Sequence, residues 1–376
     1  PFIGGEAALV AGGVAVGAGT VLSILHSTYH PVSSSMLAHA DIAAKMAYDG
    51  KGRSAVGVHR LACEQALYTV VALGLFFVVT TVAGGTALEG LNKFIGFISP
   101  VALLAILTTI ILRAKRPVRT MGIIVLATVL GFIAMHSLPT RGQEWSMSAL
   151  LAGMFSLPAG WGLWQATKPA PIPDSREWDE PNEDPQGFEF YGSLIGVLAG
   201  FLAGVGTGSL VALCRRADTS DIHYIGLASG AEMANGAWAL VTMALLGSGR
   251  SGVAVAAGEA GATVDPWAGL ILLAALWVGR RFGDELCARL EEPYRQLTNK
   301  LPQRRLGQVL FLVTVGGIGW SGGIAGLVLM FGAWMVSSIA KSWKTPNQAL
   351  MLALMGPVLV QQLGAGMPLA KGLGLL

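Results

Sequence analysis

Ten stretches of this chain contain no Asp, Glu, Lys, Arg or His: 7–25, 65–88, 94–112, 120–135, 145–167, 190–214, 233–249, 266–279, 306–340 and 345–370. A helix that crosses the hydrocarbon core of a bilayer needs roughly 20 mostly apolar residues. The runs therefore predict roughly ten crossings, the short ones tilted or broken. The run 306–340 carries GGIGWSGG at its middle and fits either one long helix or two short ones. Only 12% of the 376 residues are charged, about half the roughly 25% of a soluble domain. The 51 glycines sit among Leu, Val and Ala without collagen periodicity, which excludes fibrous and disordered classes. Glycine in membrane helices lets backbones approach closely. The expected fold class is all-α: a polytopic integral membrane protein, in two related halves with interrupted helices, placed in the plasma membrane.

Charge and cysteine content exclude other classes. The net charge of +3 comes with no basic tail, so nucleic acid is not an expected partner. Cys63, Cys214 and Cys287 are odd in number and far apart, with no CxxC pair, so neither a disulfide framework nor a zinc ribbon is expected. The sequence begins at Pro1 rather than Met, with no signal-peptide pattern before the first apolar run. A processed or incomplete chain is the reading at this end.

The segment 168–189, KPAPIPDSREWDEPNEDPQGFE, combines five prolines with seven acids. Proline blocks helix continuation and the acids exclude it from lipid, so it reads as a solvated linker. It divides the chain into a first membrane half, 1–167, and a second, 190–376. Residues 280–305 alternate Arg and Lys with apolar residues and predict an interfacial helix hairpin with a basic face. RAKRPVR at 113–119 is the candidate cytoplasmic loop.

Two places depart from plain lipid-facing helix. In the first half, Pro31 disfavours helix at His30, so the chain is expected to unwind there. Ser33, Ser34 and Ser35 then offer hydroxyls and free N–H groups at a new helix start, an anion-binding arrangement. His26 and His30 share a helix face but lack the HExxH pattern, so no metal is expected and they read as gating or hydrogen-bonding residues. In the second half, Gly204, Gly206 and Gly208 flank Thr207 and permit a bend. Glu232 and Asn235 share a face of an apolar helix. A carboxylate there costs at least ~2.5 kcal/mol unless paired, hydrated or protonated, and intramembrane ionisable groups are functional by default. GSGRSG at 247–252 breaks that helix, with Ser248, Arg250 and Ser251 at the turn. GGEAALVAGG (4–13) resembles SGAEMANGAW (229–238), which sets Glu6 opposite Glu232. Related halves with interrupted helices are how many secondary transporters build a midplane site.

At these residues the sequence resembles the large permease subunit of tripartite tricarboxylate transporters, in particular a divergent, archaeal-type branch. GSLIGVLAGFLAGVGTGSLVAL (192–213) is similar to that family's glycine-rich G-x-L-x-G-x-x-P-G-x-G helix. GLASGAEMANGAWALVTMALLGSGRSG (226–252) is similar to its E-x-A-N-N-A run ending in G-x-P-G-S-G. MLAHADIAAKMAYDGKGRSAVGV (36–58) and the C-terminal LMGPVLV (354–360) also fit. The sequence departs from the pattern at Ala203 and Leu246, where the family has prolines, and at YHPVSS, where it has a Gly-Thr-Pro-Gly-type loop. The first half shows no partner for GVLAGFLAGVGTG, which leaves one N-terminal hairpin missing or supplied by another chain.

The resemblance implies a secondary-active carrier, not an enzyme, for small carboxylate anions. It also implies Na+ or H+ as coupling ion, no other cofactor, and work beside membrane lipids with a small membrane subunit and a solute-binding protein. In this reading His30, Ser33, Ser34, Ser35, Gly206, Thr207, Ser248, Arg250 and Ser251 hold the anion, and Glu232 with Asn235 takes the coupling ion. The competing reading is a non-transporting scaffold subunit of a larger membrane complex, which accounts for the missing hairpin and the lost prolines.

Overall fold

The computed structural model describes residues 4–29, 40–136, 143–165, 172–173, 186–202, 206–215, 219–247, 254, 257–258, 260–262, 265–346, 348–362 and 364. The described residues contain no strand. Their helices are α1 (Gly5–Tyr29), α2 (Ala40–Tyr48), α3 (Gly52–Val82), α4 (Ala87–Arg113), α5 (Pro117–His136), α6 (Gln143–Leu151), α7 (Leu157–Gln165), α8 (Gln186–Phe201), α9 (Thr207–Cys214), α10 (Asp221–Leu246), α11 (Pro266–Lys300), α12 (Gln303–Ser342) and α13 (Gln348–Gln362). A π-turn over Ala152–Ser156 joins α6 to α7. Among the described residues, four segments are long and apolar enough to cross a membrane: Gly5–Tyr29, Gly52–Val82, Pro117–Met135 and Arg304–Ser342. The protein is an all-α membrane protein.

The apolar side chains gather into two cores, and each takes helices from both sides of the 168–189 segment. The first core is built from α1, α2, α3, α8, α10 and α11. The second is built from α4 to α7 with α12 and α13. The short helix α9 lies between them, with Val211 in the first core and Leu210 and Leu213 against the second.

Glycines decide which helices pair in the first core. Gly192 and Gly196 of α8 abut the carbonyls of Leu227 and Ala231 on α10, and Gly200 faces the Trp238 ring. The GxxxGxxxG spacing places all three on one stripe. On the other side, a Cβ at Gly17 of α1 would lie 2.5 Å from the Leu276 carbonyl oxygen, and one at Gly279 of α11 would lie 2.5 Å from that of Val14. Any larger residue would force these backbones apart. The pairing is reciprocal along the chain, since α1 lies along α11 while α10 lies along α3.

Residues 280–300 do not form the expected hairpin but continue α11, which begins with the Asp265 side chain accepting from the Trp267 N–H and Pro266 in its first turn. The helix ends at Lys300, and Leu301–Pro302 turn the chain into α12. Its arginines are largely committed to internal partners. Arg60 Nε of α3 pairs with Asp284 at 2.6 Å, Arg280 with Glu64 at 2.8 Å, Arg289 with Glu285 and Arg295 with Glu292, both at 2.7 Å. The Tyr29 hydroxyl donates to Glu291 at 2.7 Å. Arg280 is only 3% exposed, so α1, α3 and α11 are clamped by charge where they leave the apolar core.

The run 306–340 takes the two-helix form. Gly323 has φ 60° and ψ −155°, which no helix contains. On either side of it, Ile318 faces Gly326, Leu327 faces Gly319, and the Phe311 and Trp334 rings sit 6.1 Å apart. These pairs require two antiparallel arms that reverse at Gly323.

Two outcomes follow from this packing. Gly196→Val should drive a side chain into the Ala231 carbonyl and cost about 1–3 kcal/mol, read as a lower thermal midpoint in detergent; Gly90→Ala, which meets open space, should not lower it. Asp284→Asn should cost about 1–3 kcal/mol, because the half-buried Arg60 loses its charged partner. An unchanged midpoint in either Gly196→Val or Asp284→Asn would contradict the corresponding contact.

Candidate functional site

Helix α10 is the axis of the first core and is buried along most of its length. Its start is set locally: the Ser220 hydroxyl accepts from the His223 N–H at 3.3 Å, and Asp221 sits favourably in the first turn. Its end is set by Gly247, whose φ of 65° is left-handed and closes the helix where GSGRSG predicts a break.

Glu232 and Asn235 lie half-buried on this axis, one turn apart. Around them α8 approaches through its glycine stripe, and α1 through Val16, 3.0 Å from where a Cβ at Gly236 would stand. Helix α3 approaches through His59. The Glu232 carboxylate is within electrostatic reach of Cys63 on α3. Its stretch of α10 is flanked by these three helices, so an ionisable group stands half-buried on an otherwise apolar core helix.

His59 is fully buried and ties α1, α3 and α10 together. Its Nε2 lies 2.9 Å from the Thr20 carbonyl and its Nδ1 lies 2.7 Å from the Ser229 hydroxyl. A carbonyl can only accept, so Nε2 carries the proton and donates. In the neutral ring the Ser229 hydroxyl donates to Nδ1. The Thr20 and Ser229 contacts, together with Val16 and Gly236, show that α1 and α10 run antiparallel.

The interruption predicted around Thr207 is present. Helix α8 ends at Phe201, the backbone at Gly206 is extended (φ −76°, ψ 139°), and α9 restarts at Thr207. The first amides of α9 lack helical partners of their own, as at any helix start. Both Gly206 and Thr207 are half-buried. A Cβ at Gly206 would lie 3.1 Å from the Met351 sulfur of α13, so the break sits where the two cores meet.

His30, Ser33, Ser34, Ser35, Ser248, Arg250 and Ser251 lie outside the described residues. The helices that lead into them leave the core at opposite ends: Tyr29 beside Glu291, and Gly247 near Asp265, whose N–H donates to the Ala244 carbonyl at 3.2 Å. Glu6 lines an apolar pocket of about 160 Å³ with Asp265 and Trp267. It is far from Glu232 because α1 and α10 are antiparallel. His26 Nδ1 lies 3.4 Å from the Tyr294 hydroxyl.

His59 and the Arg60–Asp284 and Glu64–Arg280 pairs escape the reading by sequence. HRLACE at 59–64 sets three ionisable residues close together ahead of the run 65–88, outside every uncharged stretch. The available signal was spacing: His59 and Cys63 share a helix face that continues the apolar stripe of α3, whereas Arg60 and Glu64 share another. Arg53, Arg60, Glu64, Arg280, Asp284 and Glu291 line a pocket of about 220 Å³, and Glu232 lines neither cavity.

No curated protein and no solved structure matches this chain at a significant level. A family model does, over residues 7–352, and that match spans the axis helix, the interrupted helix and most of both cores. The glycine stripe, the break before Thr207 and the carboxylate on α10 thus fall within a match covering most of the chain, which belongs to the tripartite tricarboxylate transporter TctA family.

Proposed function

We propose that this chain is a secondary-active permease for small carboxylate anions, coupled to Na+ or H+, in the plasma membrane. Family membership makes it the permease component of a tripartite transporter; the cargo class, coupling ion and membrane are the proposal. Its partners are a small membrane subunit and a solute-binding protein, and a further chain that supplies an N-terminal hairpin belongs to the same reading. The observation that carries it is the placement of Glu232 and Asn235 on the buried axis helix α10, in the stretch flanked by α1, α3 and α8. Intramembrane carboxylates mark ion pathways and proton relays, and Glu232 is the group that takes up the coupling cation or proton.

The halves 1–167 and 190–376, joined by the linker 168–189, act as related repeats. The reciprocal packing of α1 on α11 and of α10 on α3 supports this reading, as does the shared order of a core helix, a polar break and then a long helix. Helices α1 and α10 end at opposite ends of the core, as alternating access from two sides of a membrane requires. In this mechanism Ser33, Ser34 and Ser35 serve one break and Ser248 and Ser251 the other. His30 or Arg250 adds positive charge, and Gly206 with Thr207 offers the helix-start N–H groups of α9.

Glu232→Gln should abolish the dependence of carboxylate uptake on a Na+ or pH gradient, measured with labelled tricarboxylate and the binding protein in proteoliposomes. The variant should still elute as a single species from size exclusion. Ion-dependent uptake that survives the substitution sinks the coupling role. Uptake absent from the unaltered, fully assembled transporter points instead to a scaffold subunit.

A further inference from the structure

The second core is nearly free of acid. The sequence holds no Asp or Glu from 90 to 143 or from 293 to 376, and these stretches supply most of α4, all of α5, α12 and α13. The basic residues of this core gather at one end. Arg113 closes α4, Lys115 and Arg116 form the turn, Arg119 stands in the first turn of α5, and Lys341 and Lys344 stand at the end of α12 and just beyond it. The Trp343 ring lies 3.5 Å from where a Cβ at Gly122 would stand, which brings the end of α12 against the first turns of α5.

All six are exposed, and none has an ion-pair partner among the described residues. None lines either cavity. Like charges gathered without counter-ions repel one another and raise the local potential, so the surface calls for an anionic partner. Leu112 (77% exposed) and Val118 (81% exposed) rim it. Apolar side chains interleaved with cations on an open surface suit the border of headgroups and acyl chains; a soluble anion would gain little there without an enclosing pocket.

The same end collects the basic residues of the first core. Arg113 Nη1 donates to the Leu213 carbonyl at 2.6 Å, next to the end of α9. From there the chain reaches the start of α10, where Arg215 and Lys45 both pair with Asp221, at 3.7 Å and 2.9 Å. The start of α3 and the charged end of α11 emerge on this side too. Among the described Lys and Arg residues, Lys93, near the start of α4, stands alone toward the other end, where Glu6, Glu89 and Asp265 lie. Lys and Arg concentrate on the cytoplasmic side of membrane proteins.

We infer that the cap formed by Arg113, Lys115, Arg116, Arg119, Lys341 and Lys344 docks the phosphate headgroups of anionic phospholipids in the cytoplasmic leaflet. The guanidinium groups supply paired donors to phosphate oxygens and the lysines supply point charges. Acyl chains then lie along the exposed apolar faces of α4 and α5.

The test uses the full chain in phosphatidylcholine vesicles with trace spin-labelled phosphatidylglycerol or phosphatidylcholine, reading the motionally restricted lipid fraction. Phosphatidylglycerol should be preferred by about fivefold or more, with the preference falling as salt rises. The variant Arg116→Gln/Arg119→Gln/Lys341→Gln/Lys344→Gln should bring the preference close to unity. Arg116→Lys/Arg119→Lys should keep most of it, and Lys93→Gln should leave it unchanged. Equal restriction of the two lipids by the unaltered protein overturns the proposal, as does a preference that persists in the quadruple variant. Displacement by inorganic phosphate at matched ionic strength identifies a soluble anion instead and also overturns it.

Sidedness has its own reporter. Cys214 is exposed at the end of α9 beside the cap, while Cys63 and Cys287 are buried. A membrane-impermeant maleimide should label the native chain in inside-out vesicles and not in right-side-out ones. The reverse pattern overturns the cytoplasmic assignment.

Discussion

Contact between helix backbones, made possible by glycine, is the constraint on which the rest of this structure depends. In lipid there is no hydrophobic gain from burying one apolar helix against another, so close packing must hold the pair. Gly192, Gly196 and Gly200 bring α8 onto α10, and Gly17, Gly279 and Gly283 bring α1 onto α11. That closeness seals Trp238 between Phe77 and Phe201, with ring centroids 5.9 Å and 5.4 Å away. It also brings α1 near enough for one His59 ring to reach both Thr20 and Ser229.

His59, Arg280 and Glu64 have specific partners and hold helices at set distances. Glu232 is a half-buried carboxylate on the axis helix α10. The neighbouring helix α8 is interrupted before α9, and that break lies at the seam of the two cores. Charge is segregated on a larger scale as well: ion pairs clamp the first core, whereas the second carries at one end cations that have no ion-pair partner among the described residues.

Much of this was legible along the chain because membrane helices are written in local composition. The uncharged runs located the helices, and GSGRSG marked the end of α10 at Gly247. The glycines around Thr207 located the break, and Glu232 stood out because a carboxylate interrupts an apolar run. The site was only partly legible. His59 hid among Arg60 and Glu64, since its burial comes from Thr20 and Ser229, 39 and 170 residues away in sequence. Residues 280–305 read as an interfacial hairpin because basic and apolar residues alternate there, but Glu64, Asp284, Glu285 and Glu292 pair with the arginines of one continuous helix.

Composition and the order of apolar runs alone required an all-α membrane protein, because a chain so poor in charge must satisfy its backbone within helices when surrounded by lipid. The pairing of those helices was not a local property. Glycine stripes occur on α1, α8 and α11 alike, and nothing in their spacing says which partner each will meet. The assembled fold settled that α1 meets α11 and α10 meets α3, that each core mixes helices from both sides of the linker, and that 306–340 doubles back at Gly323. Those outcomes rest on shape complementarity and ion pairing between segments remote in sequence, which act only once the helices stand side by side.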